Sequence, residues 1–114
     1  MNTEFIREYC LAKPSVTEGF PFGDDTLVFK VHQKLFLLLS LGDNKSFNVK
    51  CNPEQALAYR ANYPEITPGY HMNKTHWNTV NFNGNLPDAL MAEMIDHSYQ
   101  LVFDSLPKKL QNPL

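Results

Sequence analysis

The densest group of chemically capable side chains in this 114-residue chain lies between residues 68 and 80. The segment contains the only tryptophan and two of the four histidines. Its polar and aromatic side chains are His71, Asn73, Lys74, His76 and Trp77. Ammonium, amide and imidazole groups donate hydrogen bonds to phosphate, and an indole ring offers a stacking surface for a base. These residue types together predict a contact surface rather than a reaction centre.

Metal and nucleophile chemistry find little support in the spacing of the candidate residues. The four histidines and two cysteines form no Cys-x-x-Cys or His-x-x-x-His pattern, so we expect no metal site. Cys51 precedes a predicted helix start, where a thiolate would be stabilised, but it alternates with Phe47 and Val49 as a core residue does. Neither a Gly-x-Ser-x-Gly elbow nor a glycine-rich phosphate loop occurs. We therefore expect a protein that is not an enzyme and holds no cofactor.

Charge is distributed unevenly along the chain, although the formal net charge is only -2. Residues 30–83 carry six basic and three acidic side chains, whereas the segments on either side are both net acidic. A mildly basic surface built from the middle of the chain would suit phosphate groups. The residues predicted to form it are Lys30, Lys34, Lys45, Lys50, His71, Asn73, Lys74, His76 and Trp77. The alternative is a solvated sheet face, with Trp77 packed against the last helix.

Three helices are predicted among the elements that position these residues. Apolar residues at helical spacing, with charged residues opposite them, indicate a first helix over residues 3–13 that Pro14 ends. Asn52, followed by a proline at the first helical position, begins a second helix that extends to about residue 62. The longest helix opens at Pro87 and has a continuous apolar stripe.

Between the helices the apolar period changes to two, which indicates β-strands. The predicted strands cover residues 16–22, 26–31, 35–41 and 46–51, with an extended segment over 65–72 and a last strand over 77–82. Short loops join the first four strands, so these pair as antiparallel neighbours. The economical solution is a two-layer α+β fold, an antiparallel sheet with helices packed on one face, in the order α-β(3-4)-α-β(1-2)-α.

The length suits a single domain, which we place at residues 1–109, with 110–114 as a frayed C-terminal tail. The longest apolar run, Leu35 to Leu39, is far shorter than the ~20 residues of a membrane helix. The N-terminus lacks the basic flank and apolar core of an export signal. Cys10 and Cys51 suit reduced, buried thiols. We therefore expect a cytoplasmic monomer that does not associate with a membrane.

Seven short sequence segments, taken together and in their order along the chain, form a distinctive combination. They are Phe20-Pro21-Phe22-Gly23, Leu27–Val31 with the strand from Leu35, Asn48–Cys51 with Pro53, Pro68–Lys74 with His76-Trp77, Leu86-Pro87-Asp88, Asp96–Tyr99 and Leu106–Lys109. In this combination, over nearly its whole length, the chain resembles the MmcQ/YjbR family of small bacterial proteins. The resemblance implies a fold similar in arrangement to secretion-chaperone-like and frataxin-like (CyaY-like) domains, and a cytoplasmic bacterial protein.

The resemblance also bears on function, because the family is often described as DNA-binding through paired wing-like hairpins and has no established catalytic residues. The first hypothesis is a non-catalytic DNA-binding or regulatory module, in which lysines meet phosphate while Trp77 and Asn73 contact bases or sugar. The second is a chaperone-like protein-interaction module that uses the sheet face or the edge at residues 20–22. The third is a small-molecule pocket around His71, Asn73 and Trp77.

Overall fold

The chain folds into a two-layer α+β structure, an antiparallel sheet with helices packed on one face, as the sequence predicts. The computed structural model describes residues 1–112. In chain order the elements are α1 (Thr3–Leu11), β1 (Val16–Gly19), β2 (Thr26–Val31), β3 (Lys34–Ser40), β4 (Ser46–Lys50), α2 (Pro53–Asn62), β5 (Ile66–Pro68), β6 (Trp77–Asn81), α3 (Asp88–Asp104) and α4 (Lys108–Gln111). The predicted order is confirmed, and the short α4 is an addition to it.

The strands form one six-stranded sheet in the order β1-β2-β3-β4-β6-β5, with every neighbouring pair antiparallel. Short loops make consecutive hairpins of β1 to β4. After β4 the chain passes through α2 to the outer strand β5, and β6 then returns between β5 and β4. β3 and β4 therefore lie at the centre of the sheet, where the nearly unbroken apolar character of β3 is accommodated.

One face of the sheet carries the main hydrophobic core, beneath the helices. Alternate residues of each strand face it, as Leu27, Phe29 and Val31 of β2 do. Ile6 of α1 and Ile95 of α3 meet them from the helix layer. Burying these apolar stripes removes them from water, which stabilises both layers together. Within residues 1–112, no helix combines the length and the apolar character needed to cross a membrane.

Side-chain caps begin the first two helices, and the cap of the second helix is the predicted Asn52. The Asn2 side-chain oxygen accepts a hydrogen bond from the Phe5 N–H at 2.8 Å. The Asn52 side-chain oxygen accepts one from the Glu54 N–H at 3.0 Å, and a proline occupies the first turn of α2. Each cap satisfies a backbone donor that has no partner inside its helix.

The structure differs from the sequence predictions at several element ends, since α1 ends at Leu11 rather than at residue 13 and β5 covers only Ile66–Pro68 of the extended segment 65–72. Two further differences concern β1 and the C-terminal tail. β1 ends at Gly19 rather than at residue 22, because Pro21 has no N–H for strand pairing and the half-exposed Phe20 lies outside the strand. The tail expected from residue 110 is helical as far as α4 extends. Leu110 packs against the main core, and the side-chain amide of Gln111 donates to the Leu106 carbonyl at 2.7 Å. Residues 113–114 lie outside the described part of the chain.

A β-bulge in β3 fixes how α3 docks on the sheet. The register between β2 and β3 shifts after Phe29, which leaves Phe36 as the extra residue. The fully buried Ser98 of α3 inserts at this point. Its hydroxyl donates to the Phe36 carbonyl at 2.5 Å and accepts from the Lys50 N–H at 2.9 Å. One side chain of the helix layer thus replaces a missing contact between β3 and β4.

The opposite side of the sheet, which we call the open face, has no helix packed against it within residues 1–112. Its buried apolar residues form a small cluster that is separate from the main core, namely Val28, Leu38 and Trp77. Leu35 and Met72 pack against that cluster and are partly buried. The open face is therefore the largest surface of the sheet on which a partner or ligand could lie.

Candidate functional site

The floor of the open face is a row of cross-strand partners that runs across the sheet. Val28, Leu38, Asn48 and Thr79 pair in that order from β2 to β6, and Thr67 of β5 ends the row. Side chains of such partners project to the same face of a sheet. The row is apolar on β2 and β3 and polar on β4, β6 and β5. The open face thus offers both contact area and hydrogen-bonding groups.

Residues 69–76, which we call the cover loop, fold back over part of the open face. Trp77, which follows the loop, is only 9% exposed and packs with Val28 and Leu38. Gly69 lies directly against it, since a Cβ on Gly69 would come within 2.8 Å of the Trp77 Cβ. The buried Trp77 side chain therefore anchors the cover loop to the sheet and is not free to stack on a base. The alternative prediction, that Trp77 packs against the last helix, is also wrong in its partner, because Trp77 packs with Val28 and Leu38 on the face of the sheet opposite α3.

Arg60 of α2 ties the cover loop to the helix layer. Its Nε donates to the Asn78 side-chain oxygen at 2.6 Å, and its terminal nitrogen donates to the carbonyls of Lys74 and of Trp77. Asn78 is 1% exposed and donates in turn to the Ala56 carbonyl at 3.4 Å. Sequence reasoning missed both Arg60 and Asn78. The signal that the sequence offered was Asn78, an amide side chain at a position of the last strand that faces the core.

Asn73 and Lys74, which the sequence predicts to contact nucleic acid, also hold the cover loop in shape. The Asn73 side-chain oxygen accepts from the backbone N–H groups of Thr75 at 2.9 Å and His76 at 3.3 Å. The Lys74 ammonium donates to the Gly69 carbonyl at 3.0 Å. Both residues are exposed. Lys74 therefore still presents its charge to solvent, whereas the oxygen of Asn73 is already occupied.

The two histidines of the cover loop lie in different places. His71 is exposed, and its ring centroid is 4.1 Å from that of Tyr70. Its φ of 60° lies in the left-handed region, which is costly for a residue with a Cβ. His76 is also exposed, and its carbonyl accepts from the Cys51 N–H at 2.8 Å. His71 therefore faces the middle of the open face, while His76 lies beside the end of β4.

A groove of about 340 Å³ lies on the open face between the β1–β2 loop and the cover loop. Phe22 stands at one side of it and Tyr70 at the other, and each is 67% exposed. Its remaining lining residues are Thr26, Leu38, Ser40, Asn44, Ser46, Phe47, Asn48, His71 and Thr79. No Lys, Arg, Asp or Glu occurs among these described lining residues. The groove therefore suits an uncharged ligand with an aromatic or planar part.

The polar groups on the groove floor have a defined orientation. The Thr79 hydroxyl accepts from the Tyr70 N–H at 2.9 Å, so its own hydrogen is directed to the Asn48 side-chain oxygen. The side-chain nitrogen of Asn48 is consequently a donor with no hydrogen-bond partner in the described chain. Ser46 is 6% exposed, and its hydroxyl likewise has no partner within residues 1–112. These two groups line the groove and are available to a ligand.

Three of the predicted lysines lie towards the same end of the sheet. Lys30 and Lys50 alternate onto the open face near the β2–β3 hairpin, and both are half-buried. Lys50 pairs with Trp77, beside the loop that carries Lys74 and His76. This end of the open face is therefore its basic end.

The other two predicted lysines do not join this group. Lys34 pairs with Val31, whose side chain belongs to the main core, so Lys34 projects to the helix side of the sheet. Lys45 lies beyond β3 at the opposite end, in the loop that also carries Asp43. The predicted set of nine residues therefore does not form one continuous surface.

The two thiols lie away from the groove and favour the protonated form. Burial raises the pKa of the Cys10 thiol to about 12 and that of the Cys51 thiol to about 11. A thiol of this kind is a poor nucleophile near neutral pH. Among residues 1–112, no three His, Cys, Asp or Glu side chains converge as metal ligands.

Comparison with known sequences finds relatives along almost the whole chain. The YjbR family model matches residues 11–101. The uncharacterized protein YbdF of Escherichia coli O157:H7 is 38% identical over 109 residues, which cover 95% of this chain and 89% of that protein. The uncharacterized protein YjbR of Escherichia coli strain K12 is 31% identical over 110 residues, which cover 96% of this chain and 93% of that protein.

Solved structures of bacterial proteins share the fold. The crystal structure of Deinococcus radiodurans protein DR2400, described with the family-model domain DUF419, has a TM-score of 0.91 and 35% identity, and the match covers 98% of this chain and 89% of that one. A crystal structure of a protein from Pseudomonas syringae has a TM-score of 0.79 and 31% identity, and the match covers 90% of this chain and 99% of that one. The sheet and the helix layer are therefore common to these relatives.

Proposed function

The chain belongs to the YjbR family, and from that premise we propose that it is a non-catalytic module that binds single-stranded DNA or RNA on its open face. The observation that supports the proposal most directly is the pair of exposed rings, Phe22 and Tyr70, above a polar floor. An exposed aromatic ring provides a surface on which an unpaired base can stack, and every base can do so because each has a π-face. Lys30 and Lys50 lie on the same face, where they would neutralise phosphates.

The number of lysines on the face predicts weak, salt-sensitive binding. Lys30, Lys50 and Lys74 are the cations at its basic end. For single strands the logarithm of the binding constant falls by about 0.7 per neutralised phosphate for each tenfold increase in salt, so three contacts give a slope of about -2. The net charge of -2 adds no general attraction to nucleic acid. We therefore expect dissociation constants of roughly 10⁻⁴ to 10⁻⁶ M at physiological salt.

Single strands suit this face better than a duplex does. Its rings are available only to bases that are not already stacked and paired. The predicted wings also fail to converge on the open face, because Lys34 projects to the helix side of the sheet and Lys45 lies at the end of the sheet opposite the basic end. A duplex would meet fewer cations on the open face than the sequence-based hypothesis assumes. We expect duplex DNA to bind several-fold more weakly than a single strand of equal length.

Fluorescence anisotropy with a labelled single strand of about ten nucleotides tests the proposal, since this length matches the site of one small module. The double variant Lys30→Gln with Lys50→Gln should lower affinity about fivefold or more at about 50 mM salt and make the salt slope shallower by about 1. The matched control is Lys45→Gln with Lys108→Gln, which removes the same charge away from the basic end. Absence of binding by the unaltered protein at low salt, or equal losses in both double variants, would sink the proposal.

A protein partner on the same face is the second candidate, and the exposure of Phe20, Phe22 and Tyr70 favours it. These rings are 51%, 67% and 67% exposed, which suits an apolar interface. Strand addition at an edge is less favoured, because β5 has three residues and ends in a proline, and β1 has only four. A stoichiometric partner that resists nuclease and is insensitive to salt, together with no oligonucleotide binding, would replace the nucleic-acid proposal by this one.

A further inference from the structure

We propose that the groove between Phe22 and Tyr70 is a pocket for one unstacked nucleobase, an inference that rests on the proposed binding of single strands. The groove is distinct from the lysine contacts because Lys30, Lys50 and Lys74 are absent from its described lining. Affinity and selectivity are thereby divided between two parts of the open face. The lysines act on the sugar-phosphate chain, and the groove acts on the base.

The walls of the groove are exposed aromatic side chains, which suit a flat aromatic ligand. Phe22 and Tyr70 leave two thirds of their surface in solvent although both are large aromatic residues. Exposure of this extent is unfavourable for Phe22, which has no polar atom, unless a ligand covers it. Leu38 forms an apolar part of the floor between them. The volume of about 340 Å³ lies at the lower end of the range for small-ligand pockets.

The floor supplies the hydrogen bonds that a base edge needs. The chain from the Tyr70 N–H through the Thr79 hydroxyl to the Asn48 oxygen directs the Asn48 amide nitrogen outward as a donor. The hydroxyl of Ser46, a residue that is 6% exposed, has no partner within residues 1–112 and can donate or accept. A ligand must therefore offer at least one acceptor near Asn48. Carbonyl oxygens and ring nitrogens of bases meet this requirement, and ligands made only of hydrocarbon do not.

The cover loop holds one wall of the groove in position. His71 stands against Tyr70 with a centroid separation of 4.1 Å and adopts a left-handed backbone conformation. Backbone strain of this type persists where the surroundings enforce it, and binding sites are a common place for it. The Tyr70 N–H bond to Thr79 fixes the same wall from below. The pocket is thus preformed, so a base enters without ordering the loop first.

The test compares two oligonucleotides of equal length and charge, one of thymidine and one of abasic residues, on the full chain. The unaltered protein should bind the thymidine strand at least fivefold more tightly, since one stacked base contributes about 5- to 150-fold. Phe22→Ala and Tyr70→Ala should each remove most of this difference without changing affinity for the abasic strand. Ser46→Ala should lower only the thymidine affinity, by about two- to tenfold. Leu57→Ala, a 63% exposed apolar residue on α2, is the matched control and should change neither.

The outcomes separate the two proposals. Equal binding of both strands by the unaltered protein, or full thymidine affinity in Phe22→Ala and Tyr70→Ala, would overturn the base pocket while leaving phosphate binding intact. Failure of both strands to bind at low salt would overturn the proposed function itself. A thymidine strand carrying 5-iodouracil should crosslink on irradiation to Tyr70 or Phe22, as identified by mass spectrometry. Crosslinks confined to other residues would count against the groove.

Discussion

Gly69 is the residue on which the close approach of the cover loop to β6 depends most directly. Its N–H donates to the Trp77 carbonyl at 2.8 Å, and an added Cβ would lie 2.9 Å from that oxygen and 2.8 Å from the Trp77 Cβ. Gly69→Ala should therefore lower the free energy of unfolding by about 1–3 kcal/mol, because backbone must shift to relieve the overlap. Urea unfolding followed by the fluorescence of the single tryptophan measures this change.

Gly42→Ala provides the comparison at the residue scale, because an added Cβ there meets nothing within 4 Å. Its free energy of unfolding should stay within about 0.5 kcal/mol of the unaltered protein. If Gly69→Ala lowered the free energy of unfolding no more than Gly42→Ala does, the close packing of the cover loop would contribute little to stability, and Trp77 would not anchor the loop.

Single residues in the candidate site were the hardest part to predict from sequence. The residue types of Asn73, Lys74 and Trp77 suggest a binding site, but their hydrogen bonds and packing largely hold the cover loop in its conformation. Phe22 was predicted only as part of an edge for a protein partner, and Ser46 was not predicted at all, yet both line the groove. Whether an aromatic residue is buried or exposed depends on tertiary packing, which a local pattern does not contain.

At the scale of elements, Ser98 joins α3 to the bulge in β3. It is fully buried, and its hydroxyl serves both the Phe36 carbonyl and the Lys50 N–H. Ser98→Ala leaves both backbone groups without a partner, and each unsatisfied group costs about 1–3 kcal/mol. We expect a loss of about 2–4 kcal/mol in the free energy of unfolding, with amide exchange accelerated first at Lys50.

The Ser105→Ala variant is the control for this element contact. The Ser105 hydroxyl donates only to the nearby Val102 carbonyl at the end of α3, so its removal should lower the free energy of unfolding by less than about 1 kcal/mol. Similar losses in the two variants would show that the link between α3 and the bulge contributes little. A preserved exchange rate at Lys50 in Ser98→Ala would do the same.

Strands and helices were predictable because their patterns are local. The two-residue alternation of Leu27, Phe29 and Val31, and the Asn52 cap before α2, both occur where the sequence indicates. The bulge at Phe36 was not predicted, because an apolar run looks the same with or without one extra residue. Its stabilising partner, Ser98, is 62 residues away along the chain.

At the scale of the whole molecule, the helix layer covers the main core, and the open face carries the proposed binding surface. Two layers were predictable from the order of the elements, since amphipathic helices need one apolar face of a sheet. The distribution of charge over the faces was not, because it depends on strand register. The pairing of Lys34 with Val31 is enough to move one predicted contact to the helix side. Net charge along a segment therefore predicts a basic region but not a basic surface.

Alkaline pH tests how strongly the main core of the whole molecule depends on neutral buried groups. Burial raises the pKa of Cys10 to about 12 and of Cys51 to about 11, and burial with a hydrogen bond to Asp96 raises the pKa of Tyr9 to about 12. Because these pKa values are higher in the folded protein than in the unfolded chain, the protonated groups stabilise the fold. Their contribution to the free energy of unfolding is complete below about pH 9 and is lost as pH rises towards 12. The free energy of unfolding should be flat near neutrality and should fall above about pH 9.

Cys10 should account for a distinct share of that fall. Its ordinary pKa of 9.0 and its folded value of about 12 correspond to on the order of 4 kcal/mol, at about 1.4 kcal/mol for each pH unit. Cys10→Ala, measured by urea unfolding under reductant from pH 8 to 11, should be less stable at pH 8 but fall less steeply, by up to about 1.4 kcal/mol per pH unit. Ile6→Val, which weakens the same helix without removing an ionisable group, should keep the steepness of the unaltered protein. Parallel curves for Cys10→Ala and the unaltered protein would mean that the thiol ionises as easily in the fold as outside it, and the buried position of Cys10 on the inner face of α1 would then have to be abandoned.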